Sequence, residues 1–112
     1  MIDSIRLLNG RWASLDPGPD RETSFTVSPG DEVVLHGLWP IADARKLKIQ
    51  LVRPGELVTM PAMDFDEKAN WFGDVQVHLP DSLRVGEWRM IVSSEADGTQ
   101  TEVPIVIRVI KK

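Results

Sequence analysis

The sequence predicts an all-β protein, an antiparallel β-sandwich of about seven strands. Apolar and polar residues alternate with a period of two in short runs of about four to eight residues, rich in Val and Ile. Turn-forming residues separate the runs, as at Pro29-Gly30 and Pro54-Gly55. No long segment repeats apolar residues at the spacings of three and four that mark a helix. One polar side per run favours antiparallel sheets, because parallel sheets are usually covered on both faces.

Each predicted strand places its apolar residues on one side, and together these sides form one predicted core. In chain order the inward residues are Ile5 and Leu7; Phe25 and Val27; Val33 and Leu35; Leu47, Ile49 and Leu51; Val75, Val77 and Leu79; Trp88, Met90 and Val92; and Val103, Ile105, Ile107 and Val109. A chain of 112 residues with 42% hydrophobic residues can bury such a core by itself. We therefore expect a single domain over residues 1–112.

Composition excludes several classes of function. The net charge of -4 offers no basic surface for nucleic acid. The absence of cysteine excludes disulfides and thiolate chemistry. No apolar run reaches about 18 residues, so membrane insertion is not expected. The N-terminal residues do not resemble a signal peptide, and we expect the protein in the cytoplasm or in a virion.

Two stretches carry a family resemblance. "SPGDEVVLHG" is a Pro-Gly turn that leads into an inner strand, and "WFGDVQVHLPDSLRVGEWRMIV" has the form of a strand, a turn and a second strand with an aromatic residue near its start. Residues 29–92 thereby resemble an immunoglobulin-like module of the bacterial, fibronectin or macroglobulin kind. The resemblance implies that Trp88 pins the corner between the sheets, where tyrosine is more usual. It implies little about function, since such sandwiches have many unrelated roles.

Catalytic, cofactor and metal sites are not predicted. No phosphate loop, nucleophile elbow or zinc motif is present. His36 and His78 have outward parity and no ligand motif around them. The acidic loop from Asp64 to Asp74 has the oxygen-rich side chains of a cation site, but Lys68 and Ala69 stand where the calcium-loop pattern needs an acid or amide and a glycine. A solvated hairpin end explains this loop better.

Four tryptophans and no tyrosine make the aromatic residues informative. Parity assigns Trp88 to the core and Trp39 to a plug at the end of an inner strand. Trp12 and Trp71 lie next to turns. Exposed, they would stack on sugar rings or anchor a protein interface; alternatively, each folds back over the edge of the core.

Apolar residues also fall on outward positions. Val34, His36 and Leu38 share the outer face of one strand, and we expect a loop of this chain or a partner to cover it. Val106 and Ile110 share one face of the last strand, where an open sheet edge would invite strand addition.

These observations support two main hypotheses and a weaker third. The first is a non-catalytic structural module that acts through protein contacts or self-association, by fold analogy an accessory protein of a bacteriophage capsid or tail. The second is a carbohydrate-binding module that uses exposed tryptophans. The third is a cation-dependent module or weak enzyme built on the acidic loop.

Overall fold

Two five-stranded sheets face each other across one core. The computed structural model describes residues 2–15, 23–38, 47–61, 64–65, 72–94, 98 and 100–111, without the side chains at 38, 61, 64, 65, 72, 73 and 94. In this part of the chain the strands are β1 (Ile2–Leu7), β2 (Ala13–Ser14), β3 (Ser24–Val27), β4 (Glu32–Leu38), β5 (Leu47–Arg53), β6 (Glu56–Pro61), β7 (Asp64–Phe65), β8 (Phe72–His78), β9 (Gly86–Ser94) and β10 (Gln100–Val109). Sheet A has the order β2-β1-β4-β8-β7 and sheet B the order β3-β10-β9-β5-β6.

The all-β prediction is confirmed, and each of the seven predicted strands is present. Three further strands were missed: β2 and β7, of two residues each, and β6. Strand β6 does carry an alternating pattern, with Met60 buried and Val58 packed against the core while Leu57 and Thr59 point outward. The prediction of purely antiparallel sheets is also corrected, because β3 pairs with β10 in parallel.

The core lies between the sheets and contains every described residue that was predicted to point inward. Leu7 and Phe25 are partly buried against it and the others are buried. Side chains from regions without a predicted strand complete it: Ile2, Leu15, Met60 and Leu83. Burying a side chain of this size stabilises a protein by about 1.5–3 kcal/mol, so period-two alternation is enough to fix which face of each strand turns inward.

Trp88 is buried near the start of β9, just after the chain segment that passes from β8 in sheet A to β9 in sheet B. Its side chain is 1% exposed, and its indole Nε1 donates a hydrogen bond to the carbonyl oxygen of Arg84, 3.0 Å away. The guanidinium of Arg53 lies 4.2 Å from the ring centroid. Gly86 is required nearby: its φ is 131°, and a Cβ there would lie 2.5 Å from Arg53 Nη1.

The condition for strand addition at the last strand, an open sheet edge, is not met in the described part of the chain. Strand β10 lies inside sheet B, between β3 and β9, and Ile110 N donates a hydrogen bond to Val27 O at 2.9 Å. The sequence did not reveal that β3 returns to this edge. A register shift between Glu102 and Val106 accommodates Pro104, which has no N–H for a regular ladder.

Candidate functional site

The outer face of sheet A brings together the most chemically varied side chains of the described chain. Cross-strand pairing places Arg6 of β1 level with Val34 of β4, and Val34 level with Gln76 of β8. The pairing of β1 with β2, continued by one residue, puts Trp12 beside Arg6. A second row aligns Ser4, His36 and Asp74. We call this surface the Trp12 face; it comprises Asp3, Arg6, Trp12, Glu32, Val34, His36, Asp74 and Gln76.

Trp12 is exposed and its position is fixed. The side chain is 45% exposed, although tryptophan usually buries most of its large surface. The guanidinium of Arg6 lies 4.7 Å from the ring centroid, and the His36 ring meets the indole edge to face at 5.9 Å and 72°. The next residue, Ala13, packs against the core. The indole is therefore a surface ring that contacts Arg6 and His36 and is anchored next to a core residue.

His36 is oriented by a carboxylate. Its Nδ1 lies 2.8 Å from Asp3 Oδ1, and both side chains are about one-third exposed. A register shift in β1 between Ile2 and Ser4 sets Asp3 at an irregular position, and the Asp3 carbonyl accepts a hydrogen bond from Leu15 N at 2.9 Å. The bulge of β1 and the end of β2 thus place this pair beside Trp12.

A second polar pair lies on the β4–β8 side of the face. Gln76 Nε2 donates a hydrogen bond to Glu32 Oε2 at 2.9 Å, and His78 Nδ1 stands 3.8 Å from Glu32 Oε1. Both Glu32 and Gln76 remain partly exposed. Carboxylate oxygens accept hydrogen bonds, and an amide both donates and accepts them. This pair can therefore bind a hydroxyl group either as a hydrogen-bond donor or as an acceptor.

Val34 is buried on the outer face of β4, between neighbouring strands of its own sheet rather than under the predicted loop or partner. It is 3% exposed, although it lies outside the core cluster between the sheets. Its cover comes from this chain, because Arg6 and Gln76 flank it in register. Arg6 Nη1 donates to the carbonyl oxygens of Leu7 and Leu8, while Arg6 Nε is buried without a hydrogen-bond partner.

The predicted binding residues therefore separate into two groups. Trp12, Val34 and His36 come together on the Trp12 face, and Leu38 ends the same strand β4. Val106 lies on the outer face of sheet B, and the exposed Ile110 follows the end of β10. Trp71, Trp39 and residues 66–70 of the acidic loop lie outside the described residues.

The outer face of sheet B has a different character. One row across the sheet contains Ser24, Val106, Arg89, Val52 and Leu57. Leu57 is 60% exposed, and a groove of about 400 Å³ runs beside Val52 and Val106. Arg89, within the row, pairs through Nε with Glu102 Oε1 at 2.8 Å, and a second ion pair, Arg108 Nη2 to Glu87 Oε2 at 3.5 Å, lies beside the row. We call this row the aliphatic row.

The described residues contain no cluster of three or more His, Cys, Asp or Glu side chains that could hold a metal ion. In the same residues, no helix has the length and apolar character needed to cross a membrane.

Comparison with known proteins gives a limited similarity. A protein described as a solabiose phosphorylase, from Paenibacillus borealis, is 38% identical to this chain over 63 residues. The match covers 53% of this chain and 8% of the length of that protein. No family model matches the chain, and no solved structure matches it.

Sequence reasoning missed the polar members of the Trp12 face. Parity assigns outward positions to Arg6 and Gln76. It does not show that their strands lie close together, because the alternation of apolar and polar residues does not determine the order of strands in a sheet. Asp3 was missed because the bulge in β1 removes it from any regular pattern. The one available signal was the outward placement of Val34 and His36 next to each other in β4.

Proposed function

We propose that this chain is a non-catalytic carbohydrate-binding module whose ligand occupies the Trp12 face. One observation carries the proposal: an indole that is 45% exposed lies against Arg6 and His36, beside hydrogen-bonding side chains on the same surface. A sugar ring presents C–H groups on its faces and hydroxyl groups around its rim. An exposed tryptophan next to carboxylate, imidazole and amide groups complements both parts.

Preorganisation supports the proposal. Arg6 and His36 hold the ring of Trp12, and Asp3 holds His36, so little side-chain entropy remains to be lost on binding. Arg6 covers part of the indole, and 45% of the residue remains exposed for contact with a sugar ring. The match to a protein named for a sugar, solabiose, agrees with carbohydrate binding, although it covers a small part of that protein.

For the fold we propose an immunoglobulin-like sandwich. The hydrogen bond from Trp88 to the backbone four residues upstream supports this assignment, because a tyrosine near the start of a late strand makes an equivalent bond at the sheet corner of such domains. The passage from β8 in one sheet to β9 in the other, directly before Trp88, is consistent with that corner.

The test is affinity electrophoresis in gels that contain a soluble β-glucan, a galactan or a xylan. We expect wild-type protein to be retarded by at least one of these polysaccharides, and Trp12→Ala to migrate as in a gel without polysaccharide. Val85→Ala is the matched control, because Val85 is an exposed apolar residue away from the Trp12 face. Equal retardation of wild type and Trp12→Ala would remove the proposal.

A second candidate function is self-association through the aliphatic row. Leu57, Val52 and Val106 present apolar surface, and the ion pairs of Arg89 and Arg108 leave little net charge to repel a second copy. Sedimentation of the wild type between about 1 μM and 1 mM, the range of weak association, tests this candidate. The accessory role in a phage particle stays a prediction from the sequence.

A further inference from the structure

The Trp12 face is rich in carboxylates. Asp3 lies at the β1 bulge, Glu32 and Asp74 lie on β4 and β8, and all three side chains are partly exposed. Even with the exposed Arg11 counted beside Arg6, three carboxylates oppose two guanidinium groups. An anionic ligand would meet like charge at three points of this surface.

Arg6 is committed to contacts within the chain. Its Nη1 donates to the carbonyl oxygens of Leu7 and Leu8, and its guanidinium lies over the Trp12 ring. Its Nε is buried. A cation that recognises a carboxylate or sulfate normally offers two parallel N–H groups to it, which Arg6 could do only by giving up these contacts.

The face is longer than one sugar ring. Trp12 stands beside β1, and Gln76 lies on β8, two strands beyond β1. At about 4.8 Å between neighbouring strands, the distance from the β2 side to β8 is about 14 Å. A ligand that stacks on Trp12 and also reaches the Glu32–Gln76 pair must therefore run across the strands and exceed a monosaccharide.

We infer that the ligand is an uncharged oligosaccharide, a disaccharide or longer, that lies across the strands from Trp12 to Gln76. This inference rests on the proposed function and adds two properties of the ligand, its charge and its length. Asp3 and His36 bind hydroxyl groups near the indole, and Glu32 and Gln76 bind those of a following unit.

Ligand charge is tested in gels of equal polysaccharide content. Neutral β-glucan, galactan and xylan are compared with polygalacturonate and a sulfated galactan. We expect at least about tenfold stronger retardation by one of the neutral polymers than by either anionic one, a difference typical of one unfavourable charge contact. Equal or stronger retardation by an anionic polymer overturns the inference alone. Retardation by none counts against the proposed function, and this inference falls with it.

Ligand length is tested by calorimetry with the monosaccharide and the oligosaccharides of the retained polymer. We expect Gln76→Ala to weaken binding of the longer oligosaccharides about five- to tenfold, as for one lost hydrogen bond, and to leave monosaccharide affinity unchanged. Gln50→Ala is the matched control, because Gln50 lies in sheet B and bonds Thr59 at 3.4 Å. Unchanged affinity at every length, or equal weakening at every length, overturns the inference.

Discussion

The outer faces of the two sheets differ although the inner faces are built alike. Both sheets turn a period-two set of apolar residues inward, and both contribute to one core. Outside, sheet A shows a polar network around the exposed Trp12, whereas sheet B shows an aliphatic row with ion pairs within and beside it. The core therefore constrains the inward-facing residues of each strand, whereas the outward-facing residues can vary and form a binding surface.

The charged groups also behave differently on the two faces. On sheet B, Arg89 and Arg108 pair with Glu102 and Glu87 at exposed positions, where such pairs contribute little to stability. On sheet A, the polar groups orient a ring or bridge two strands while remaining partly exposed. Groups that are held in place yet open to solvent are suited to binding, because their orientation is fixed before the ligand arrives.

The largest expected difference in stability is between a tryptophan in the core, Trp88, and the tryptophan of the Trp12 face. We expect Trp88→Ala to lower the free energy of unfolding by about 3–5 kcal/mol, since it empties a buried site and removes the bond to Arg84. Trp12→Ala should lower it by less than about 1 kcal/mol, the cation–π contribution of Arg6. Urea denaturation measures both values. A loss of several kcal/mol in Trp12→Ala would show that Trp12 is a core residue and would blur the distinction.

Two valines compare the outer faces directly. Val34 is buried on the outside of sheet A, and Val52 is partly exposed on the outside of sheet B. We expect Val34→Ala to cost about 1–2 kcal/mol of stability, from lost burial and the cavity beneath Arg6 and Gln76. Val52→Ala should cost less than about 1 kcal/mol. Thermal and urea unfolding of both variants are the measurements; equal costs would mean that the two faces are covered to the same degree.

The sequence was sufficient to predict the core and much less so the site. Alternation is local, so it assigned residues such as Leu35 and Ile107 to the interior without knowledge of strand order. The Trp12 face depends on which strands are neighbours, and that is decided by long-range pairing. Strand β3 shows the same limit, since its parallel pairing with β10 leaves no local pattern.

Short or irregular segments account for the remaining differences. Strand β2 has two residues, too few to show a period, yet its position places Trp12 beside Arg6. The bulge at Asp3 breaks the alternation of β1 at the residue that orients His36. Regular strands could therefore be predicted, whereas the irregular residues that complete the Trp12 face could not.

The smallest effect on stability is expected at Leu57, where the change acts on association instead. Leu57 is 60% exposed, so Leu57→Lys should alter the free energy of unfolding by less than about 0.5 kcal/mol. If the aliphatic row binds a second copy, a lysine there introduces a charge into an apolar contact and shifts the sedimentation coefficient to that of the monomer. Leu8→Lys is the matched control, because Leu8 is an exposed leucine at the end of β1 in sheet A. Two results would show that the aliphatic row is not an interface: a wild-type protein that stays monomeric at about 1 mM, or lysine variants that both dissociate equally. Of the two surfaces, the Trp12 face would then remain as the binding surface.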